Sequence, residues 1–140
     1  DEPYRIYNYG GAKIGVIICF DWLFPEAIRS LALQGADIIC HPSNLDPTYR
    51  PQWMVVRCIE NRVFVLTANR TGWEEREGRK RMTFQGRSQI LSPKGRVLGE
   101  CGPYDEGVQV VDIDIKEARR KYVNRWNDVL NDRQPHCYTL

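Results

Sequence analysis

One segment constrains the fold more than any other: Lys13-Ile14-Gly15-Val16-Ile17-Ile18-Cys19-Phe20-Asp21-Trp22-Leu23-Phe24-Pro25-Glu26. Its run Val16-Ile17-Ile18 has strand length and β-branched residues, which reads as a buried strand. Pro25 suits the first turn of a helix, where no backbone N–H is needed, and Glu26 sets negative charge near the positive end of the helix dipole. Cys19 therefore falls at the carboxyl end of a strand, just ahead of a helix N-terminus. Backbone N–H groups and the dipole at such a place favour a thiolate over a thiol. An α/β protein puts a nucleophile there.

The flanking sequence extends this pattern. Arg5 to Tyr9 alternates, Gly10-Gly11 turns, and the chain returns as a hairpin into the strand 13–18. Ala27, Ile28, Leu31 and Ala32 form one apolar stripe on a helix over 25–34, with Glu26 and Arg29 spaced to pair and Gly35 as its stop. A second strand, Ala36-Asp37-Ile38-Ile39-Cys40, ends at His41-Pro42 and completes a βαβ unit. The loop 42–47 leaves the carboxyl end of that strand, on the rim that also holds Cys19, where open α/β sheets bind ligands. Pro51 opens a helix over 51–61, and a strand over 63–68 follows. The mixed-charge run 74–81 reads as an exposed loop. Strands 88–92 and 96–99 form a hairpin around Pro93-Lys94-Gly95. A third alternating segment over 107–113 reads as a neighbour of the sheet, and a short basic helix spans 115–123. The tail lacks periodicity and is expected to cross to a partner surface.

At 140 residues the chain is read as one unit, 1–140, able to bury a useful core. Its formal net charge of +2 gives no case for nucleic acid or an anionic membrane as partner. No apolar run approaches the roughly 18 residues that span a bilayer, and no signal peptide is visible. The chain opens Asp1-Glu2-Pro3 with no methionine, as a fragment, a processed product or half of a larger domain would. Cys19, Cys40, Cys58, Cys101 and Cys137 are odd in number and irregular in spacing, which predicts reduced thiols in the cytoplasm. With only His41 and His136 beside them, no metal site is expected.

Each candidate has a plain structural reading. Free cysteine is among the most buried residue types, so Cys19 also reads as a small core residue. Cys40, Cys58, Cys101 and Cys137 read as structural or incidental. His41 stands at a strand end near the rim, where a thiol would need a base, but it reads first as a satisfied structural histidine. Asp21 reads as a turn residue. Trp22, Phe24, Tyr49 and Trp53 line a pocket or fill the core. The residues thus supply a nucleophile without an evident base.

The ordered motifs resolve this by resemblance. The segment from Gly15 to Glu26, followed by Arg29, resembles the nucleophile segment of the nitrilase superfamily of carbon–nitrogen hydrolases. Downstream, Gly35-Ala36-Asp37, Pro42-Ser43-Asn44, Glu60-Asn61-Arg62, Ala68-Asn69-Arg70, Gly86 with Ser88 and Ile90, Asp112-Ile113-Asp114 and Asp132-Arg133 continue it nearly to the end. The resemblance implies the C-terminal half of an α-β-β-α sandwich. It implies a Glu–Lys–Cys triad in which Cys19 is the cysteine, while the glutamate and lysine belong to motifs ahead of position 1. Glu2, Lys13 and Glu26 match neither role, so the 140-residue chain alone is expected to be inactive. The implied chemistry is hydrolysis of a small amide or nitrile through a thioester or thioimidate, with the backbone N–H of Phe20 at the developing negative charge and no cofactor. Trp22 and Asn44 resemble pocket-wall positions. The helices 25–34 and 51–61 resemble those of the family's dimer surface, which implies a homodimer or higher homo-oligomer. An N-carbamoyl amine substrate, or a non-catalytic binding or assembly module that keeps the fold, are the other readings.

Overall fold

The computed structural model describes residues 2–46 and 51–138; Tyr49 and the end of the 42–47 loop lie outside them. Strands β1 (Ile6–Tyr9) and β2 (Ala12–Val16) form the expected antiparallel hairpin over Gly10-Gly11. After β2 the chain makes a 3-10 turn, Cys19–Leu23, and enters helix α1 (Pro25–Leu33) with Pro25 in its first turn. The predicted stripe is the face that packs inward: Ala27, Ile28, Leu31 and Ala32 are all buried. Full burial of a side chain such as Ile28 or Leu31 contributes about 1.5–3 kcal/mol. Gly35 ends the helix in the left-handed region at φ 90°, and the N–H of Ala36 returns to the Leu31 carbonyl at 3.0 Å.

Strand β3 (Ile38–Ser43) lies parallel to β2, so the strand–helix–strand unit is a true crossover. It does not stop at His41-Pro42 as expected but runs on to Ser43, paired in register with Asn69 of β4 (Phe64–Asn69). Between them, α2 (Gln52–Asn61) packs beside α1 and ends where Arg62 turns left-handed at φ 51°. Strands β7 (Gln89–Leu91) and β8 (Val97–Glu100) add the predicted hairpin, giving a six-stranded sheet ordered β1-β2-β3-β4-β7-β8. One face of this sheet meets both helices through Ile17, Ile39, Val65, Leu91, Met54 and Cys58.

The opposite face is apolar and partly open. Alternation along the strands places Ile14, Val16 and Ile18 of the β2 segment, Ile38 and Cys40 of β3, Leu66 of β4 and Ile90 of β7 there. Ile18 is 63% exposed and the others are half-buried or exposed. A contiguous apolar sheet face of this kind is uncommon on a finished surface.

Past β4 the structure extends one expectation and corrects others. The charged run 74–81 is an exposed loop beyond Glu74, as expected, and it forms the tip of a separate two-stranded ribbon made by β5 (Thr71–Glu74) and β6 (Met82–Gln85). Residues 107–113 form no strand; they run past β8, with Val111 near Gly99, but without a ladder. The helix expected over 115–123 is a single turn, α3 (Lys116–Arg119), because Arg119 is held on Asp37 and Arg120 turns extended. Arg29 does not pair with Glu26 either. Its half-buried guanidinium donates to the Glu60 carbonyl at 2.8 Å and the Val129 carbonyl at 3.3 Å, while Glu26 stays solvated.

Candidate active site

Cys19 is the first residue of the 3-10 turn and has φ 47°, one of three non-glycine residues in the left-handed region among those described. L-residues avoid that region, at a cost of roughly 1–2 kcal/mol, and persist in it where the surroundings enforce it. Several contacts enforce it here. The Ile17 N–H donates to the Cys40 carbonyl at 3.0 Å, holding the chain on β3 up to the bend. Past the bend, the Asp21 carboxylate accepts from the Ile18 N–H at 2.9 Å, and the Asp21 N–H donates to the Ile18 carbonyl at 3.0 Å. Asp21 is the turn residue that its place in the sequence suggested. The same carboxylate reaches Tyr4, whose phenol is raised above its ordinary value by burial first and then by Asp21.

The turn is also tied to α2. Arg57 donates from Nε to the Trp22 carbonyl at 3.3 Å and from Nη2 to the Leu23 carbonyl at 3.2 Å, with Glu60 steadying it at 3.0 Å. Trp22 is buried and stacks on Trp53 at 4.6 Å between ring centroids, 21° from parallel. Together with Leu23, Val56 and Arg57, these rings line a shallow cavity of about 290 Å³ on the helix side. Phe20 is exposed, its ring edge-on to Trp22 at 6.4 Å and to Phe24 at 5.8 Å. The N–H of Phe20 lies in the opening turn of a helix, where no carbonyl stands one turn behind to receive it.

His41 is fully buried beneath this turn. Its Nε2 lies 2.9 Å from the Cys19 carbonyl oxygen and its Nδ1 3.2 Å from Thr67 Oγ1. Burial lowers its pKa, against the opposing influence of the Cys19 carbonyl and the Asp21 charge. The reading of His41 as a satisfied structural histidine holds: a neutral ring with Nε2–H on a carbonyl and Nδ1 facing a hydroxyl has no lone pair left for a thiol. Asn44 is exposed at the end of β3. Next to it, the Leu45 N–H donates to Asn69 Oδ1 at 2.8 Å, and Asn69 Nδ2 donates to the Gly86 carbonyl at 2.7 Å. Asn69 thus ties the loop after β3 to the base of the ribbon, a role that its place at a strand end hinted at but did not fix. Cys40 and Cys58 are pushed up by burial, as buried thiols are, and Cys101 is also buried. Among the described residues no three ligating side chains stand together in a way that would hold a metal ion, and no helix is long and apolar enough to cross a membrane.

The carbon-nitrogen hydrolase family model matches residues 1–122. The chain is 45% identical over 138 residues to a nitrilase of Pyrococcus abyssi, covering 99% of this chain and 51% of that protein. It is 34% identical over 153 residues to an N-carbamoylputrescine amidase of Solanum tuberosum, covering 100% of this chain and 50% of that one. Among solved structures, an amidase from Nesterenkonia sp. superposes with a TM-score of 0.78 at 27% identity, over 97% of this chain and 46% of its own. A mutant of the amidase from strain AN1 of that genus, at a TM-score of 0.75, 26% identity and the same 97% and 46% coverage, carries the acetamide moiety of fluoroacetamide covalently added at its active-site cysteine. The chain spans about half the length of the curated relatives it matches.

Proposed function

Since the chain belongs to the carbon–nitrogen hydrolase family, we propose that Cys19 is the nucleophile of an enzyme that hydrolyses a non-peptide C–N bond in a small amide or nitrile. The observation that carries this reading is the left-handed Cys19 at the strand-to-helix bend, braced from β3, α2 and Asp21. The sulfur attacks the substrate carbon, and the N–H of Phe20 donates to the oxygen or nitrogen that gains charge. For an amide, the C–N bond of the tetrahedral adduct breaks, ammonia or an amine leaves with the thiol's proton, and a thioester remains. Water then adds to the thioester, releasing the carboxylic acid and restoring the thiol. A nitrile passes through a thioimidate and takes up a first water before losing ammonia.

Proton transfer in these steps falls to the glutamate of the family's triad, with its lysine beside the developing charge. Both are assigned to the other half of the domain, so the 140-residue chain by itself is inactive in this reading. That half supplies the second sheet of the α-β-β-α sandwich and covers the open face that carries Val16, Ile18, Cys40 and Leu66. Trp22 and Asn44 flank the substrate pocket. The exposed apolar residues Leu23, Phe24, Trp53 and Val56 form the face taken up by a second copy in a homodimer or larger assembly. The free thiols suit a reducing, cytoplasmic setting.

An N-carbamoyl amine is the second substrate reading, favoured by the similarity to the Solanum tuberosum enzyme. A panel of nitriles, ω-amides and N-carbamoyl amines, assayed with the full-length protein for ammonia or amine release, distinguishes the classes. Turnover should vanish in Cys19→Ala. Normal turnover in that variant removes the nucleophile assignment, and no turnover of any compound by the wild type favours a non-catalytic module of the same fold.

A further inference from the structure

At the carbonyl of the bent residue a buried side chain of the core meets the main chain of Cys19. We propose that His41 is a positioning residue for Cys19: its Nε2–H, 2.9 Å from the Cys19 carbonyl oxygen, fixes the backbone bend that presents the sulfur. The inference rests on the reading of Cys19 as nucleophile and assigns the residue that keeps it in place.

The geometry leaves the neutral imidazole one tautomer. Residues 41 and 67 are register partners in the β3–β4 ladder, and both side chains are buried on the same sheet face. A carbonyl oxygen only accepts, so the proton must sit on Nε2. The lone pair on Nδ1 then accepts a hydrogen bond from the Thr67 hydroxyl, 3.2 Å away. The Cys19 carbonyl sets the tautomer, the Thr67 hydroxyl serves the unprotonated Nδ1, and the Nε2–H donor anchors a peptide unit that would otherwise relax out of the left-handed region. The ring does not act on the thiol; it acts on the main chain beneath it. A nucleophile displaced by about 1 Å can lose roughly a hundredfold in rate, so a fixed bend affects the chemical step more than substrate binding.

Side chains of graded reach test this. Glutamine can set its amide N–H near the position of Nε2; asparagine is too short; leucine fills volume but donates nothing. In the full-length protein, His41→Asn and His41→Leu should lower kcat by about ten- to a hundredfold with KM within about threefold, and His41→Gln should recover kcat to within about fivefold of wild type. Thr67→Val, which removes the hydroxyl facing Nδ1, should fall between them. The alkylation rate of Cys19 by iodoacetamide, read by mass on its peptide, should follow the same order. A folded His41→Leu with wild-type kcat and alkylation rate overturns the proposal. If the leucine variant does not fold, the Gln–Asn pair decides: equal kcat overturns it, and a tenfold advantage for Gln supports it. If the wild-type protein hydrolyses nothing, the hydrolase reading fails, and the alkylation rates alone decide for or against His41.

Discussion

Arg119 closes a fork on Asp37: Nε lies 3.0 Å from Oδ1 and Nη2 2.9 Å from Oδ2, with the Gly11 carbonyl a further 2.7 Å from Nη2. Asp37 is buried at the start of β3 and also accepts the Lys13 N–H at 2.9 Å. One carboxylate thus joins β2, β3 and α3, fastening the C-terminal third of the chain to the amino-terminal edge of the strands. This is the edge opposite Cys19, so the clasp sets the sheet's frame without entering the chemistry.

The clasp predicts a pH dependence. Burial pushes the Asp37 carboxyl up, but the Arg119 fork and the Lys13 N–H outweigh it and leave the group below the usual carboxylate range. A depressed carboxylate stabilises the fold above its unfolded pKa of about 3.9, and the contribution is lost as pH falls through the folded value. Urea denaturation should find Asp37→Asn less stable than wild type at pH 7. The gap should narrow progressively below about pH 4; a gap of constant size across that range would contradict this account.

Gly86 should not tolerate a side chain. It has φ 58°, and a methyl there would stand 2.5 Å from the Pro103 carbonyl oxygen and 2.9 Å from its carbon. Backbone cannot swing aside as a side chain can. Gly86→Ala should cost about 2–4 kcal/mol, combining left-handed strain with overpacking. Gly72, at φ 87° with open space around it, provides the control. Gly72→Ala should lose only the conformational part, about 1–2 kcal/mol, in the same denaturation measurement.

Arg29 joins three parts of the chain, and its loss should show as lost hydrogen bonds. Its guanidinium, held below its ordinary value first by burial, serves the Glu60 and Val129 carbonyls together. Arg29→Met keeps the stem and leaves both carbonyls wanting, for an expected loss of about 1–3 kcal/mol. Arg29→Lys, able to reach one of them, should fall between the variant and wild type in thermal melts.

Where the sequence was legible, local chemistry and burial agreed. The β-branched run before Cys19, Pro25 and the stripe at 27, 28, 31 and 32 each specify the same strand–turn–helix, and the structure has it. Alternation over 107–113 was misleading because it reports which side chains face inward without saying whether a neighbour is there to pair. Val111 is half-buried, yet Val108 and Val110 stand in solvent. The ribbon β5–β6 escaped notice for the opposite reason. It buries only Phe84 and is held by cross-strand pairing, with Arg81 over Trp73 at 3.9 Å and Arg70 over Phe84 at 4.2 Å. The candidate nucleophile was legible from position and motif. The link from His41 to its carbonyl was not, because it depends on the register of β3 against β4 and on the bend at residue 19, neither of which any spacing encodes.

Lys121 offers a test at the alkaline end. Its Nζ donates to the Asn61 carbonyl at 3.1 Å and the Arg62 carbonyl at 2.8 Å, closing the end of α2 where the chain turns left-handed. Burial pulls the ammonium down to about 8, although Asp37 and Asp128 hold it up. In the unfolded chain the same group titrates near 10.4. Between those values the unfolded state binds the proton more tightly, so this residue's contribution to stability rises with pH across that window and is least favourable below it. The full shift corresponds to an upper bound of about 3 kcal/mol, which solvent screening reduces to about 1–2 kcal/mol. The buried Cys58 thiol works in the other direction: its pKa is raised, so the unfolded thiol ionises first and stability falls above about pH 8.5. That loss is common to wild type and Lys121→Met and cancels in their difference. Urea denaturation of the two proteins at pH 7.5, 9 and 10 should therefore show the difference shifting toward wild type as pH rises. A difference that stays flat would mean that Lys121 keeps an ordinary ammonium in the folded protein.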